Sequence, residues 1–208
     1  MKKLLFILIV VISVSCTKSV FNSKWVNEKA PENFVTRFET SKGKFDIQVN
    51  RADSPKAVDR FYQLVNHQFL DSTIFYRVVP NFVAQFGISD TLKMKKWSKF
   101  RISDEEVRAG NIKGALSFAR GGKESRASDL FINLKNNQRL DTLSYNDVKG
   151  FPAFGKVING MEVVESLYSG YGDQVMPVYD TLSVNRVRFL KAFPKLDLLN
   201  KMYILKEK

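Results

Sequence analysis

Cysteine and histidine are almost absent from this chain of 208 residues, which contains one of each. A single cysteine excludes a disulfide within the chain and a zinc site built from several cysteines. The single histidine, His67, would need a neighbouring serine in a nucleophile motif for serine-histidine-acid hydrolysis, and the sequence contains no such motif. We therefore expect His67 to cap or pack at the end of a helix. Gly121-Gly122 is followed by Lys123-Glu124, so it lacks the lysine-serine/threonine ending of a phosphate-binding loop.

A hydrophobic run long enough to cross a bilayer is missing from the N-terminus. The apolar run from Leu4 to Val14 is too short for a stable transmembrane helix. Two lysines precede it and small residues end it, a pattern that is typical of an export signal. These small residues are Ser13, Ser15 and Cys16.

The position of Cys16 resembles a bacterial lipoprotein processing site, where cleavage leaves the cysteine at the new N-terminus carrying lipid. Ser13 stands where such sites usually have an aliphatic residue, and an incidental thiol is the alternative interpretation. We predict a signal segment at 1–16 and a polar tether at 17–32. This places the protein in the cell envelope as an exported, membrane-anchored lipoprotein facing the periplasm.

Acidic residues are scarce relative to basic ones, 21 against 33, so the formal net charge is +12. The densest basic cluster lies between Lys93 and Arg101. No zinc spacing, recognition helix or aromatic-interleaved basic groove accompanies it, so we do not expect nucleic-acid binding. A solvated loop explains the cluster, with some attraction to an anionic membrane surface. A basic scaffold tethered to the envelope is an alternative, in which this cluster matters more than any catalytic residue.

Short alternating segments dominate the rest of the chain and predict a mainly β fold. The strand predictions fall at 34–40 and 44–49 as a hairpin, then at 73–79, 82–88, 114–119, 129–134, 152–158 and 181–190, the last with a bulge near Asn185. A helix is predicted from Pro55 to His67 and a second over 161–168.

Polar loops are expected at 90–112, where Asp104 to Glu106 read as a solvated turn, and at 140–150. A short helix is expected in the tail, at 196–202. Many short strands with two helices favour a closed barrel capped by helices.

The most informative segment runs from Phe75 to Gly87. It places Arg77 on a strand otherwise made of aromatic and β-branched residues, and Gln85 follows on a second apolar run. A guanidinium on such a strand is costly to bury without a hydrogen-bonding role. Solvation on the outer face of an edge strand is the alternative.

Three ordered blocks of sequence carry a family resemblance. Residues 75–87 resemble the motif Phe-His-Arg-Val-Ile-Pro-x-Phe-x-x-Gln-Gly-Gly. Residues 114–120 with 128–133 resemble Gly-x-Leu-Ser-Met-Ala and Ser-Gln-Phe-Phe-Ile, and residues 154–164 resemble Phe-Gly-Lys-Val-x-x-Gly-Met-x-Val-Val. Over residues 33–190 the chain is similar to the cyclophilin family of peptidyl-prolyl cis/trans isomerases. The resemblance implies a closed eight-stranded antiparallel barrel with a helix over each end, and leaves 191–208 as a C-terminal extension.

The resemblance also implies a site and an activity. It makes Arg77 the catalytic hydrogen-bond donor and Gln85 the residue that holds it. The substrate-binding positions that it implies are Phe82, Val83, Ala119, Arg120, Asp129, Phe131, Leu140 and Phe151. Ordinary core is the alternative for the apolar ones. The implied enzyme isomerises Xaa-Pro bonds and needs no cofactor and no metal. Together with the export signal, this predicts action on exported or unfolded protein segments, and we expect a monomer.

Two positions depart from the family pattern. Asp129 stands where the family usually has glutamine, and it could pair with Arg120 or with Arg77. Pairing with Arg77 would weaken catalysis. Phe86 replaces the first glycine after Gln85. The alternative function is therefore a catalytically weak, peptide-binding or chaperone-like lipoprotein of the same fold.

Overall fold

The structure, a computed structural model, describes residues 21–207. The fold is mainly β, as predicted. Its strands are β1 (Asn33–Thr40), β2 (Gly43–Asn50), β3 (Thr73–Ile74), β4 (Arg77–Val78), β5 (Val83–Phe86), β6 (Ala115–Phe118), β7 (Leu130–Asn133), β8 (Ser144–Tyr145), β9 (Val148–Lys149), β10 (Ala153–Asn159) and β11 (Leu198–Glu207). Its α-helices are α1 (Pro55–Asn66), α2 (Thr91–Trp97), α3 (Arg139–Thr142), α4 (Met161–Glu165), α5 (Thr181–Val184) and α6 (Arg186–Ala192). Two 3₁₀ helices, Ser23–Asn27 and Gly172–Val178, complete the described elements.

The main sheet differs from the predicted eight-stranded closed barrel. It contains nine strands in the order β3-β11-β1-β2-β10-β6-β7-β5-β4, while β8 and β9 form a separate hairpin. The strands pair antiparallel throughout. The strands at the two ends of this order, β3 and β4, do not pair with each other. The chain connects them through Phe75 and Tyr76. The sheet is therefore curled, and its hydrogen-bond ladder has two ends.

The N-terminal hairpin and helix α1 were predicted correctly from their periodicity. Every second residue of β1 is buried, and Pro55 occupies the first turn of α1. Phe61 of this helix is buried against the aromatic rings of Phe38 and Phe154, with ring centroids 6.5 and 5.5 Å away. These aromatic contacts hold α1 on the sheet at β1 and β10.

The predicted strand at 181–190 is wrong, because this segment forms α5 and α6. The Asn185 side chain accepts a hydrogen bond from the backbone amide of Arg188 at 2.9 Å, which caps α6. The change of alternation at Asn185 therefore marks a helix start and not a bulge.

The C-terminal residues form a strand and not the predicted short helix. Strand β11 pairs with both β1 and β3. Thr40 lies opposite Leu199 and Glu39 lies opposite Lys201, so Asn200 is an extra residue in the ladder. Because of this bulge, Leu199 and Met202 both point to the buried face although they are three residues apart. A three-residue interval between apolar residues is typical of a helix, which explains the wrong prediction. Residues 198–207 are thus part of the sheet and not an extension of the domain.

The predicted tether also differs from the structure where it can be compared. Phe21 packs against Trp97 with a centroid distance of 5.2 Å, and Trp25 stacks on His67 at 3.9 Å. From residue 21 onward the chain is therefore attached to the domain.

His67 ends α1 and its Nε2 lies 2.7 Å from Glu28, so it caps and packs as expected. The signal segment 1–16, Cys16 and residues 17–20 lie outside the described residues. Between residues 21 and 207 no helix is long and apolar enough to cross a membrane.

The segment 90–112 is more ordered than the predicted loop. Asp90 caps α2 by accepting from the amide of Lys93 at 3.0 Å, so the basic cluster begins on a helix. Glu105 is not in a solvated turn: it accepts from the amides of Lys56 and Ala57 at 2.8 and 3.1 Å. Its carboxylate therefore satisfies the N-terminal amides of α1.

Candidate functional site

Arg77 and Gln85 lie opposite each other on β4 and β5. The Nη1 atom of Arg77 donates to Oε1 of Gln85 at 3.1 Å, so the structure brings the two residues into contact. The guanidinium carbon lies 5.5 Å from the ring centroid of Phe82. The Arg77 side chain is 17% exposed, which excludes the alternative of an arginine solvated on the outer face.

The apolar positions implied for substrate binding lie around one pocket. Val83, Phe131 and Leu140 form a small cluster separate from the main core, with Phe82, Ala119 and Phe151 packed against it. The pocket has a volume of about 370 Å³. Arg77, Gln85 and Arg120 also line it, so nine of the ten predicted positions meet here and Asp129 is the exception. These side chains are therefore a pocket wall and not only core.

Asp129 pairs with neither arginine, contrary to the prediction. Its carboxylate accepts from the Tyr76 hydroxyl at 2.9–3.0 Å and from Nε2 of Gln85 at 2.9 Å. Because the Gln85 amide points its nitrogen at Asp129, its oxygen faces Arg77. Asp129 thereby sets the orientation of the residue that holds the arginine. Asp129 lines a second pocket of about 460 Å³ that shares Gln85 with the first.

Removal from solvent raises the pKa of Asp129 to about 7, and the bonds from Tyr76 and Gln85 keep it from rising further. Burial likewise raises the pKa of Tyr76 well above its ordinary value. The Tyr76 hydroxyl therefore keeps its proton over the whole physiological pH range and can donate it to Asp129.

Arg120 supports the wall of the pocket. Its guanidinium donates to the carbonyls of Gly150 and Val148 at 2.6 and 2.8 Å and lies 4.1 Å from the Phe151 ring. Burial lowers the pKa of Arg120. The side chain therefore holds the segment carrying Phe151. The Ala119 amide donates to the Asp129 carbonyl at 2.9 Å, so it is used within the fold.

Phe86, the second departure from the family pattern, points away from the site. It is fully buried, and its ring lies 5.1 Å from Phe75 and 5.8 Å from Phe38. The close approach of the backbone occurs at Gly87, where φ is +112° and a side chain would collide with the Ser128 carbonyl. A bulky residue is therefore tolerated at position 86.

Several residues of the site were not predicted, among them Leu143, Tyr145, Asp173, Met176 and Tyr179. Oδ1 of Asp173 lies 2.7 Å from Nε of Arg77, and Met176 lines both pockets. The last three belong to the segment between α4 and β11. No motif in the sequence marks this segment, and its nearest predicted element was a strand at 181–190.

A pH-dependent contribution to stability is expected from Asp129. In the unfolded chain an aspartate ionises near pH 3.9, whereas in the fold its pKa is about 7. The folded state therefore binds the proton more tightly, and the parent should lose stability relative to Asp129→Asn as pH rises from about 4 to about 7. The expected loss is on the order of a few kcal/mol, since one pKa unit corresponds to about 1.4 kcal/mol.

Urea denaturation of both proteins across this pH range measures the difference. Asp147→Asn, at an exposed carboxylate, is the matched control and should follow the parent. A difference between parent and Asp129→Asn that does not change with pH would contradict the raised pKa.

Comparisons with known proteins show which family this chain is similar to. Residues 35–188 match the family model described as cyclophilin type peptidyl-prolyl cis-trans isomerase/CLD. The chain is 33% identical over 144 residues to a peptidyl-prolyl cis-trans isomerase of Acinetobacter baylyi, covering 68% of this chain and 76% of that one. It is 34% identical over 140 residues to peptidyl-prolyl cis-trans isomerase A of Dickeya dadantii, covering 66% and 73%.

A solved structure supports the fold. The crystal structure of a cyclophilin type peptidyl-prolyl cis-trans isomerase from Cryptosporidium parvum superposes with a TM-score of 0.61 at 20% identity, covering 85% of this chain and 99% of that one. The family model covers most of the described chain and includes the strands that carry Arg77 and Gln85. The protein therefore belongs to the cyclophilin-type peptidyl-prolyl cis-trans isomerases.

Proposed function

We propose that this isomerase acts on Xaa-Pro bonds of exported or unfolded protein segments, with Arg77 as the catalytic donor. The observation that carries the proposal is the placement of Arg77. Its guanidinium is held by Gln85 at the edge of an apolar pocket of about 370 Å³. A charged donor beside a pocket that suits a proline ring is the arrangement that this reaction needs.

The chemistry requires no proton abstraction and no covalent intermediate. Rotation about the peptide bond must break amide resonance, against a barrier of about 18–20 kcal/mol. When the amide twists, the proline nitrogen regains its lone pair, and the Arg77 guanidinium can donate to it more strongly than to the planar amide. This difference between ground state and transition state lowers the barrier. Phe82, Phe131 and Leu140 would hold the ring, and no cofactor or metal is needed.

Exchange spectroscopy on a short Ala-Pro peptide tests the proposal. The full chain should accelerate cis/trans exchange at substoichiometric concentration. Peptide binding without acceleration would instead support the alternative of a peptide-binding or chaperone-like lipoprotein. The two departures from the family pattern do not favour that alternative, because Phe86 fills the core and Asp129 supports Gln85.

We also propose that the protein is exported, anchored by lipid on Cys16, and faces the periplasm as a monomer without a nucleic-acid partner. The sequence pattern of residues 1–16 supports the anchor. Two or more acyl chains would give stable attachment, because each buried methylene contributes about 0.8 kcal/mol. A lipid-anchored enzyme would act on client segments near the membrane surface.

Replacing Cys16 tests the anchor. Cys16→Ser should move the protein from the membrane fraction to the soluble fraction and abolish labelling by a fatty-acid probe. Ser15→Ala changes the neighbouring residue without removing the thiol and should remain in the membrane fraction. Membrane association of Cys16→Ser equal to that of the parent would contradict lipid anchoring, and a role for the basic segment Lys93 to Arg101 would then be tested by neutralising its lysines.

A further inference from the structure

The segment between α4 and β11 reaches the candidate site from a part of the chain that the motifs do not include. Its 3₁₀ helix, Gly172–Val178, lies beside β4. Val175 is fully buried in a second apolar cluster with Tyr76 and Phe189. The segment is therefore anchored by its own small core and presents Asp173 from a packed element.

Asp173 and Gln85 bind different nitrogen atoms of the Arg77 guanidinium. Its carboxylate accepts from Nε of Arg77 at 2.7 Å, while Gln85 accepts from Nη1 at 3.1 Å. Within residues 21–207 no acceptor takes a hydrogen bond from the third nitrogen, Nη2. Two anchors on different nitrogens fix both the plane and the rotation of a guanidinium, whereas one anchor fixes neither. Nη1 keeps one further N–H group, whereas both N–H groups of Nη2 have no acceptor within residues 21–207, so Nη2 has the most donors available to a substrate.

We propose that Asp173 is a positioning residue for the isomerase reaction, which together with Gln85 orients Arg77 so that Nη2 serves the twisted amide. This inference rests on the proposed role of Arg77. It assigns a catalytic contribution to the segment between α4 and β11, which contains neither of the predicted catalytic residues.

The opposite effect, in which Asp173 weakens Arg77 by neutralising it, is expected to be smaller. The Asp173 side chain is 66% exposed, so water and salt screen its charge. The geometric restraint on the guanidinium does not depend on that screening. Because exposed ion pairs have modest energies, removal of Asp173 should lower kcat/KM about two- to five-fold.

A double-mutant cycle measured on the full chain tests this role. Asp173→Ala should lower the rate of Ala-Pro exchange in the parent but not in an Arg77→Ala background. Asp173→Asn keeps an acceptor oxygen and should recover much of the loss. Gln174→Ala, at the exposed neighbouring residue, is the matched control and should leave the rate unchanged.

The Nε–H signal of Arg77 in a ¹H–¹⁵N spectrum provides a readout independent of activity. The bond to Asp173 should protect this proton from solvent exchange in the parent and in Gln174→Ala, and the protection should be lost in Asp173→Ala. An unchanged rate and signal in Asp173→Ala would overturn the inference. A higher rate would also overturn it, because Asp173 would then compete with the substrate. An inactive parent would instead refute the proposed function and with it the catalytic role of the bond.

Discussion

Arg77→Ala is expected to lower the rate of prolyl isomerisation about 100-fold, the loss typical of removing a hydrogen-bond donor that acts in the transition state. The reason lies in the geometry of the site, where Gln85 holds the guanidinium beside the apolar pocket. Without it, the nitrogen of the twisted amide has no charged donor. The apolar wall would remain, so peptide binding should weaken much less than the rate. Exchange spectroscopy on an Ala-Pro peptide measures both quantities.

Arg77→Lys is the informative companion variant. Lysine keeps the charge but presents a single ammonium group in place of a planar fork, so it cannot bond Gln85 and the substrate in the same geometry. We expect it to recover only part of the activity. Circular dichroism should show that both variants remain folded. An Arg77→Ala protein that is folded and as active as the parent would refute the assignment of Arg77 as the donor.

Phe86→Ala is expected to lower the free energy of unfolding by about 3–5 kcal/mol, as for other large-to-small changes in a packed core. Phe86 is fully buried between the rings of Phe38 and Phe75. Adjacent side chains on a strand point to opposite faces, so Gln85 faces the site while Phe86 faces the core. Catalysis by the folded fraction should therefore be close to that of the parent.

Urea denaturation measures this loss, with Val187→Ala as the control. Val187 is 80% exposed, and its truncation should change stability by less than about 0.5 kcal/mol. A Phe86→Ala protein that kept its stability but lost its activity would show that Phe86 shapes the site. Phe86, which replaces a glycine of the family pattern, would then affect catalysis directly.

Local sequence patterns were sufficient for the elements built from neighbouring residues. The alternation around Ser41 predicted the β1–β2 hairpin, and the stripe after Pro55 predicted α1. They failed where a single side chain or one extra residue changed the geometry. Asn185 starts a helix by capping it, and Asn200 adds a bulge that gives β11 a helix-like spacing. Neither effect is visible from periodicity alone.

The candidate site shows the same division. Arg77 and Gln85 are only eight residues apart on adjoining strands, so a short-range motif was enough to pair them. Asp129 is 44 residues from Gln85, and its partners could not be chosen from sequence, since a buried carboxylate bonds whichever donors the fold places beside it.

The sequence by itself indicated the mainly β fold, because alternation records how residues close along the chain share a face. Its motifs indicated the family, and the resemblance implied the apolar pocket with its arginine. Only the tertiary structure decided what surrounds that arginine. Asp173 is 96 residues from Arg77 and reaches it through a segment with weak local preferences. Such a contact depends on how the small core around Val175 anchors that segment beside β4, and burial of this kind is a property of the assembled fold.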